Sequence, residues 1–260
     1  MNLLAFDTST DTLSIAVQRG SGALAQVWAH TSVGGAQASS TLIPAIQRLM
    51  KEAGLDFRQL DAIAFGRGPG SFTGLRTACS VAQGLAFGAD LPVLPVDSLL
   101  AVAEEARFQF CAAENLAARV APARLRVLAL LDARMDELYA ACCEFEDGQW
   151  RLPDVCLLIK PEHLALEFPV AQAVLAEPGV TLLAGNVFTA YGQRLPASPW
   201  PRINALPTAS AMLRLAPQLL QAGRALPAQE ALPLYIRDKV AKTTAERLLE
   251  KSAAPAPLTS

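Results

Sequence analysis

Leu131-Asp132-Ala133-Arg134-Met135-Asp136-Glu137-Leu138-Tyr139-Ala140-Ala141 repeats, 125 positions later, the character of Phe6-Asp7-Thr8-Ser9-Thr10-Asp11-Thr12-Leu13-Ser14-Ile15-Ala16 near the start of the chain. At that offset Asp7 falls on Asp132, Asp11 on Asp136, Leu13 on Leu138 and Ala16 on Ala141. Each stretch is a short apolar run that meets an acid, turns, and continues as a second strand. A handful of identities carries little weight in an alanine-rich chain. What decides the reading is that the elements around the two stretches recur in the same order.

In the first copy, Leu3 to Phe6 and Thr12 to Val17 read as strands, and Gly20-Ser21-Gly22 turns the chain into a third strand from Ala23 to Trp28. From Thr41 to Ala53 the period becomes helical, with Leu42, Ile46, Leu49, Met50 and Ala53 on one face. Ser39 or Ser40 is the expected cap of that helix, Gly54 its end, and Pro44 is expected in its first turn. Strand Asp61–Phe65, helix Phe72–Phe87 stopping at Gly88, strand Pro92–Val96 and a helix from about Ser98 to Ala118 complete the copy. In the second copy, Arg126–Leu131, Leu138–Phe145 and Trp150–Ile159 read as strands. A helix from about Glu162 to Ala176 and strand Val180–Ala184 follow. A helix over Thr208–Ala222 packs back on the sheets.

Strands alternating with helical crossovers predict an α/β chain. A duplicated three-strand meander with crossovers is the actin-like, ribonuclease H-like architecture of the sugar kinase and Hsp70 group. The expected division is 1–105 for the first domain, completed by the helix near 207–223, and 106–206 for the second. An extension over 224–251 and a loose Ala/Pro/Ser tail over 252–260 follow.

The 260 residues are 52% hydrophobic and 18% charged, which describes a folded protein with a sizeable core and excludes a disordered chain. A net charge of -2 argues against a chain that grips nucleic acid by itself. Mean hydropathy is +0.28, yet no run of about 18 uncharged apolar residues exists to span a membrane. The acid at Asp7 and the lack of a basic start argue against a signal peptide. Five cysteines without a C-x-x-C pair and two distant histidines, His30 and His163, predict a reduced, cytoplasmic protein with no metal centre.

Three segments have the composition for chemistry. Asp7-Thr8-Ser9-Thr10 has the acid and hydroxyls of a phosphate-cradling hairpin, or of a plain Asx/ST turn. At the corresponding place after Asp132, the bulk of Ala133-Arg134-Met135 crowds any phosphate. Gly66-Arg67-Gly68-Pro69-Gly70-Ser71-Phe72-Thr73-Gly74 is a strand-to-helix turn with Ser71 as the helix cap. It lacks the lysine of a P-loop and the third glycine of a dinucleotide fingerprint. The helix it opens carries small residues at Gly74, Thr77, Ala78, Ala82 and Gly84, and both internal packing and contact with a partner remain open for it. No nucleophile–histidine set is credible. Arg119, Arg124 and Arg126 read as a solvated basic loop.

The segment 66–76, the opening Leu-Ala-Phe-Asp-Thr-Ser-Thr, Asp132-Ala-Arg-Met135 with Glu137-Leu-Tyr139, and Leu234-Tyr-Ile-Arg237 together closely resemble the TsaB (YeaZ) family over roughly residues 2 to 240. The resemblance implies an actin-like pseudoenzyme with no catalytic residues and no cofactor. It would support TsaD, the paralogue that transfers a threonylcarbamoyl group to the adenosine beside the tRNA anticodon. TsaE, an ATPase, joins that complex, and TsaC makes the donor. The implied partners are TsaD as a heterodimer, TsaE in a ternary complex and a second copy when alone, with tRNA touched only through the complex. The catalytic paralogue holds a metal through two histidines four apart on its first crossover helix, whereas Ala36 to Pro44 contains none. The family's dimerisation surface lies on the first two crossover helices, which carries over to Leu42, Ile46, Met50, Phe72, Leu75, Arg76 and Cys79. The alternative from the residues alone is a small-molecule kinase or ATPase of the actin-like fold.

Overall fold

The computed structural model describes residues 1–113, 124–151, 155–168 and 180–237. Strands β1 (Leu3–Asp7), β2 (Thr12–Arg19) and β3 (Gln26–Val33) form the first meander. Helix α1 (Ala38–Ala53) then crosses to β4 (Ala62–Gly68), and α2 (Phe72–Ala89) crosses to β5 (Val93–Asp97). Helix α3 (Ser98–Ala113) leads to the second half. There β6 (Arg124–Arg134) and β7 (Glu137–Glu146) form a hairpin, followed by β8 (Gln149–Arg151), β9 (Leu157–Ile159), α4 (Leu164–Glu167), β10 (Val180–Gly185), α5 (Phe188–Tyr191) and β11 (Arg202–Asn204). Helix α6 (Ala209–Gln221) closes the described order.

The strands run β3-β2-β1-β4-β5 in one sheet and β11-β10-β6-β7-β8 in the other, with β9 also on β7. In both, the central strand is antiparallel to its hairpin partner and parallel to the strand after the crossover. This is the duplicated actin-like, ribonuclease H-like arrangement. The period-2 pattern explains the layering. Leu3 and Ala5 face a core shared by both halves through α3 and α6, while Leu4 and Phe6 face a second core under α1 and α2. Leu128 and Leu130 face a third, beneath α4 and α5. Each fully buried Leu, Ile or Phe contributes roughly 1.5–3 kcal/mol.

The shared core is pinned by a buried carboxylate. Glu104 accepts hydrogen bonds from Arg107 (2.7 and 2.9 Å), from Arg214 on α6 (2.7 Å) and from the Trp150 indole on β8 (2.9 Å). Four donors saturate its oxygens, which is the condition under which a buried charge is tolerated.

Several expected boundaries move for local reasons. Helix α1 begins at Ala38, out of a 3-10 turn over Gly35–Gln37, and Gln37 gives it no side-chain cap. Ser40 and Thr41 instead donate back to the Gln37 carbonyl at 3.0 and 2.9 Å. Pro44 therefore stands in the second turn, not the first, and Ser40, whose carbonyl it leaves unbonded, faces solvent. Helix α2 passes Gly88 and ends at Asp90, which itself takes the left-handed cap (φ 56°). Trp150–Ile159 is not one strand: β8 and β9 pair with opposite ends of β7. Residues 114–118 and 169–176 of two expected helices, Arg119, and the 252–260 tail lie outside the described residues. Arg124 and Arg126 are in β6, not a loop, and pair with Glu144 (3.9 and 2.8 Å).

The duplication itself needs a correction. Phe6 pairs with Ile15 in the first hairpin, and Leu130 pairs with Ala140 in the second, each pair lying on the outer face of its sheet. The second strands thus correspond at the expected 125, but the first strands at 124. Leu131, not Asp132, is the counterpart of Asp7, and a one-residue slip puts Asp132 on the opposite face. The loops explain it: four residues separate β1 from β2, while only Met135-Asp136 separate β6 from β7, with a bulge between Asp132 and Arg134.

Candidate functional site

The two hairpin ends face one another across a cleft of about 300 Å³ lined by Ser9, Thr10, Asp11, Asp132, Arg134 and Tyr139, among others. Its wall on the first half is the turn from the end of β4, through a cis Gly68–Pro69 bond, into α2, where Gly70, Ser71 and Phe72 line it. That segment lies directly on the first hairpin loop. Ser71 N–H donates to the Ser9 carbonyl (2.7 Å), and the Thr8 hydroxyl donates to the Gly74 carbonyl (2.7 Å). A Cβ on Gly74 would sit 1.8 Å from the Thr8 carbonyl oxygen. The glycine is there so that two backbones can touch. Ser71 caps α2 as expected, accepting from Gly74 N–H at 3.5 Å.

Asp7 is sealed beneath this contact. One carboxylate oxygen accepts from Ser9 N–H (2.8 Å) and Ser9 Oγ (2.7 Å), while the other has no partner. The unpartnered oxygen occupies the space of a Gly66 side chain, 1.8 Å from where its Cβ would be. Burial pushes the Asp7 carboxyl up to about 7, against the opposing hydrogen bonds from Ser9. Of the four expected phosphate-loop residues, Asp7, Thr8 and Ser9 are buried; Ser9 still reaches the cleft wall, beside Thr10 and its neighbour Asp11.

The second hairpin end is built differently. Arg134, Met135 and Asp136 all adopt left-handed backbone (φ 62°, 56° and 61°). A two-residue hairpin loop asks for such geometry, and Asp136 tolerates it, so Arg134 and Met135 carry a cost of roughly 1–2 kcal/mol each. Ion pairs from outside the turn surround it. Arg134 pairs with Asp11 across the cleft and with Asp132 (3.5 Å), and Arg194 holds Asp136 (2.8 Å). Asp132 also accepts from Tyr191 Oη (2.9 Å) and, through its own N–H, donates to Asn186 (2.9 Å). Burial and then Asp132 push the Tyr191 hydroxyl up to about 12.

Residues Leu234 to Arg237, without regular structure, cross the mouth of the cleft. Leu234 N–H donates to the Arg67 carbonyl (2.6 Å), and Arg67 itself pairs with Asp97 (2.5 Å). The Tyr235 ring lies 5.1 Å from Phe72 and its hydroxyl accepts from Arg76 Nε (3.1 Å); Arg76 stacks over Phe72 at 3.8 Å. Arg237 reaches the other half, donating to Glu137 (2.5 Å) and to the Arg134 carbonyl (3.3 Å). The sequence reads Leu234–Arg237 as a short extended piece near the end and as part of the family likeness, but not as a bridge; the guanidinium at 237 and the carboxylate at 137 were the signal.

The charged groups that line the cleft, Asp11, Asp132, Arg134 and Arg237, are therefore engaged in ion pairs. Among the described residues no three His, Cys, Asp or Glu side chains gather as metal ligands. Burial raises the Cys79, Cys142, Cys143 and Cys156 thiols, Cys156 to about 12, which leaves them protonated and unreactive. Among the described residues no helix is long and apolar enough to cross a membrane.

The residues expected on the partner face divide by burial. Leu42, Ile46, Met50, Leu75 and Cys79 are core residues, because the helical stripes that carry them are spent on the first sheet and on the 228–235 segment. The Cys79 thiol and Gln83 amide donate to the Ala231 carbonyl (3.3 and 2.9 Å). Phe72 and Arg76 keep accessible surface, and so does Ile43 on α1, at 41% exposed.

Known proteins resemble the chain over nearly its full length. The family model described as TsaD, tRNA N6-adenosine threonylcarbamoyltransferase, matches residues 24–176. The tRNA threonylcarbamoyladenosine biosynthesis protein TsaB of Haemophilus influenzae is 35% identical over 253 residues, 92% of this chain and 95% of that protein. Its namesake from Escherichia coli K12 is 30% identical over 256 residues, 93% and 96%. The solved structure of YeaZ from Pseudomonas aeruginosa superposes with a TM-score of 0.72 at 34% identity, covering 90% of this chain and 99% of that one.

Proposed function

The chain belongs to the TsaB (YeaZ) family, and on that premise we propose that it serves tRNA threonylcarbamoyladenosine biosynthesis as a non-catalytic subunit that dimerises with the TsaD transferase and activates it. The observation that carries the non-catalytic part is the fate of the first hairpin's hydroxyls. Thr8 Oγ1 is spent on Gly74 and Ser9 Oγ on Asp7, under backbone too close to admit a phosphate. A kinase needs those groups free and a carboxylate at the metal, and Asp7 is sealed away from the cleft.

Ile43 on α1, with Phe72 and Arg76 on α2, forms the contact surface for TsaD in this reading; the buried residues behind them hold the helices in place. TsaE joins the pair, a second copy takes the surface when TsaD is absent, tRNA is met only through the complex, and the compartment is the cytoplasm. Size-exclusion chromatography of the chain mixed with TsaD tests the association: a single earlier peak containing both is expected. Separate elution, together with ATP turnover by the isolated chain, would instead favour a small-molecule kinase or ATPase.

A further inference from the structure

We propose that Leu234–Arg237 is a strap that couples the accessible face of α2 to the closure of the cleft, with the left-handed turn at Arg134–Asp136 as the element that switches. The strap has an anchor on each half. On the first, Leu234 N–H bonds the Arg67 carbonyl, and the Leu234 carbonyl approaches Gly68 so closely that a Cβ there would lie 2.6 Å from it. Tyr235 then packs beside Phe72 and accepts a hydrogen bond from Arg76 on the first turns of α2. On the second half, Arg237, with its side chain only 14% exposed, grips Glu137, the Arg134 carbonyl and the Met135 thioether.

The turn that Arg237 grips carries the longest run of left-handed non-glycine residues in the described hairpins. Three successive non-glycine residues stand in left-handed backbone, and such conformations persist only where surrounding groups over-determine them. The groups that do so come from elsewhere: Asp11 from the first half, Arg194 from beyond β10, and Arg237 from the strap. Freed of Arg237, the turn loses one of the contacts that hold its left-handed residues, and the Arg134–Asp11 pair across the cleft loosens with it. The held turn and the loosened turn are the two states whose balance both ends of the strap would bias.

Tyr235 and Arg237 are two residues apart on a short segment that one backbone hydrogen bond, Leu234 N–H to Arg67 of β4, ties to the first half and that Ile236 packs on the shared core. Displacing the ring from Phe72 and Arg76 therefore pulls on the guanidinium in the other half. A body that lands on that face of α2 is read out at the cleft, with no need to touch it. This inference uses intramolecular contacts only, so it stands or falls separately from the proposed partnership with TsaD.

Hydrogen exchange of the full chain, followed by mass spectrometry, tests it. Arg76→Ala removes the hydrogen bond to Tyr235 and is expected to speed exchange in the peptide spanning 133–138 about tenfold, although that peptide belongs to the other half. Arg237→Ala is expected to do the same, and the double variant no more than Arg237→Ala alone, because both act through one strap. Glu137→Gln, which keeps the side chain's size, stands in should Arg237→Ala fail to fold. An effect of Arg76→Ala confined to α2, or full additivity in the double variant, overturns the strap.

Discussion

Asp7→Asn is expected to stabilise the chain at alkaline pH and to remove a pH dependence that the wild type shows. The carboxyl is 1% exposed, one of its oxygens has no partner, and its pKa rises from 3.8 to about 7 through burial. The raised value fixes the sign: the folded state holds the proton more tightly than the unfolded state. The associated stability is fully present below pH 3.8, is lost as pH rises toward 7, and stays lost above that. A shift of roughly 3 units is worth roughly 4 kcal/mol. Asparagine keeps an oxygen for Ser9 but puts an amide N–H2 where the unpartnered oxygen was, at a cost of about 1–3 kcal/mol. The net expectation at pH 8 is therefore a gain of roughly 1–3 kcal/mol that fades by pH 5. Urea unfolding of both proteins at half-unit steps from pH 5 to 8.5 measures it. Between pH 5 and 6.5 the wild type should lose roughly 1.4 kcal/mol more per pH unit than the variant, the slope of one proton. Parallel profiles would refute the buried, unpaired carboxyl.

Other expectations follow from the same contacts. Gly74→Ala drives a Cβ into the Thr8 carbonyl and should cost roughly 3 kcal/mol in urea unfolding, with the 7–10 loop as the first region to lose exchange protection. Glu104→Ala strands Arg107, Arg214 and the Trp150 indole and should cost roughly 3–5 kcal/mol by the same assay. Leu75→Asp should unfold the chain, because Leu75 is buried. Ile43→Asp should leave the melting temperature within about 2 °C while weakening co-elution with TsaD at least tenfold.

The pattern of elements was legible because it rests on local periodicities. Leu42, Ile46, Leu49 and Met50 announce a helix, the alternation in β2 announces a strand, and Gly54 stops α1 where expected. What stayed hidden depends on contacts between distant segments. The alignment of Asp7 with Asp132 looked sound in sequence because both acids end strands, but register belongs to loop length and a bulge. The glycines after β4 invited a phosphate reading, and their purpose appears only once the first hairpin loop lies against them. Leu75 and Cys79 carry the right residue types for a partner face, yet Ala231 and Leu234, more than 150 positions away, cover that flank. Left-handed backbone at Arg134 to Asp136 has no signature in residues that normally avoid it.

The central claim is that the chain enables a transfer it does not perform. Incorporation of labelled threonine into tRNA by TsaC, TsaD and TsaE, with ATP and bicarbonate, measures this directly when run with the chain, without it, and with the chain in place of TsaD. The account predicts incorporation only when both TsaD and the chain are present. Undiminished incorporation without the chain, or incorporation by the chain in the absence of TsaD, would contradict it.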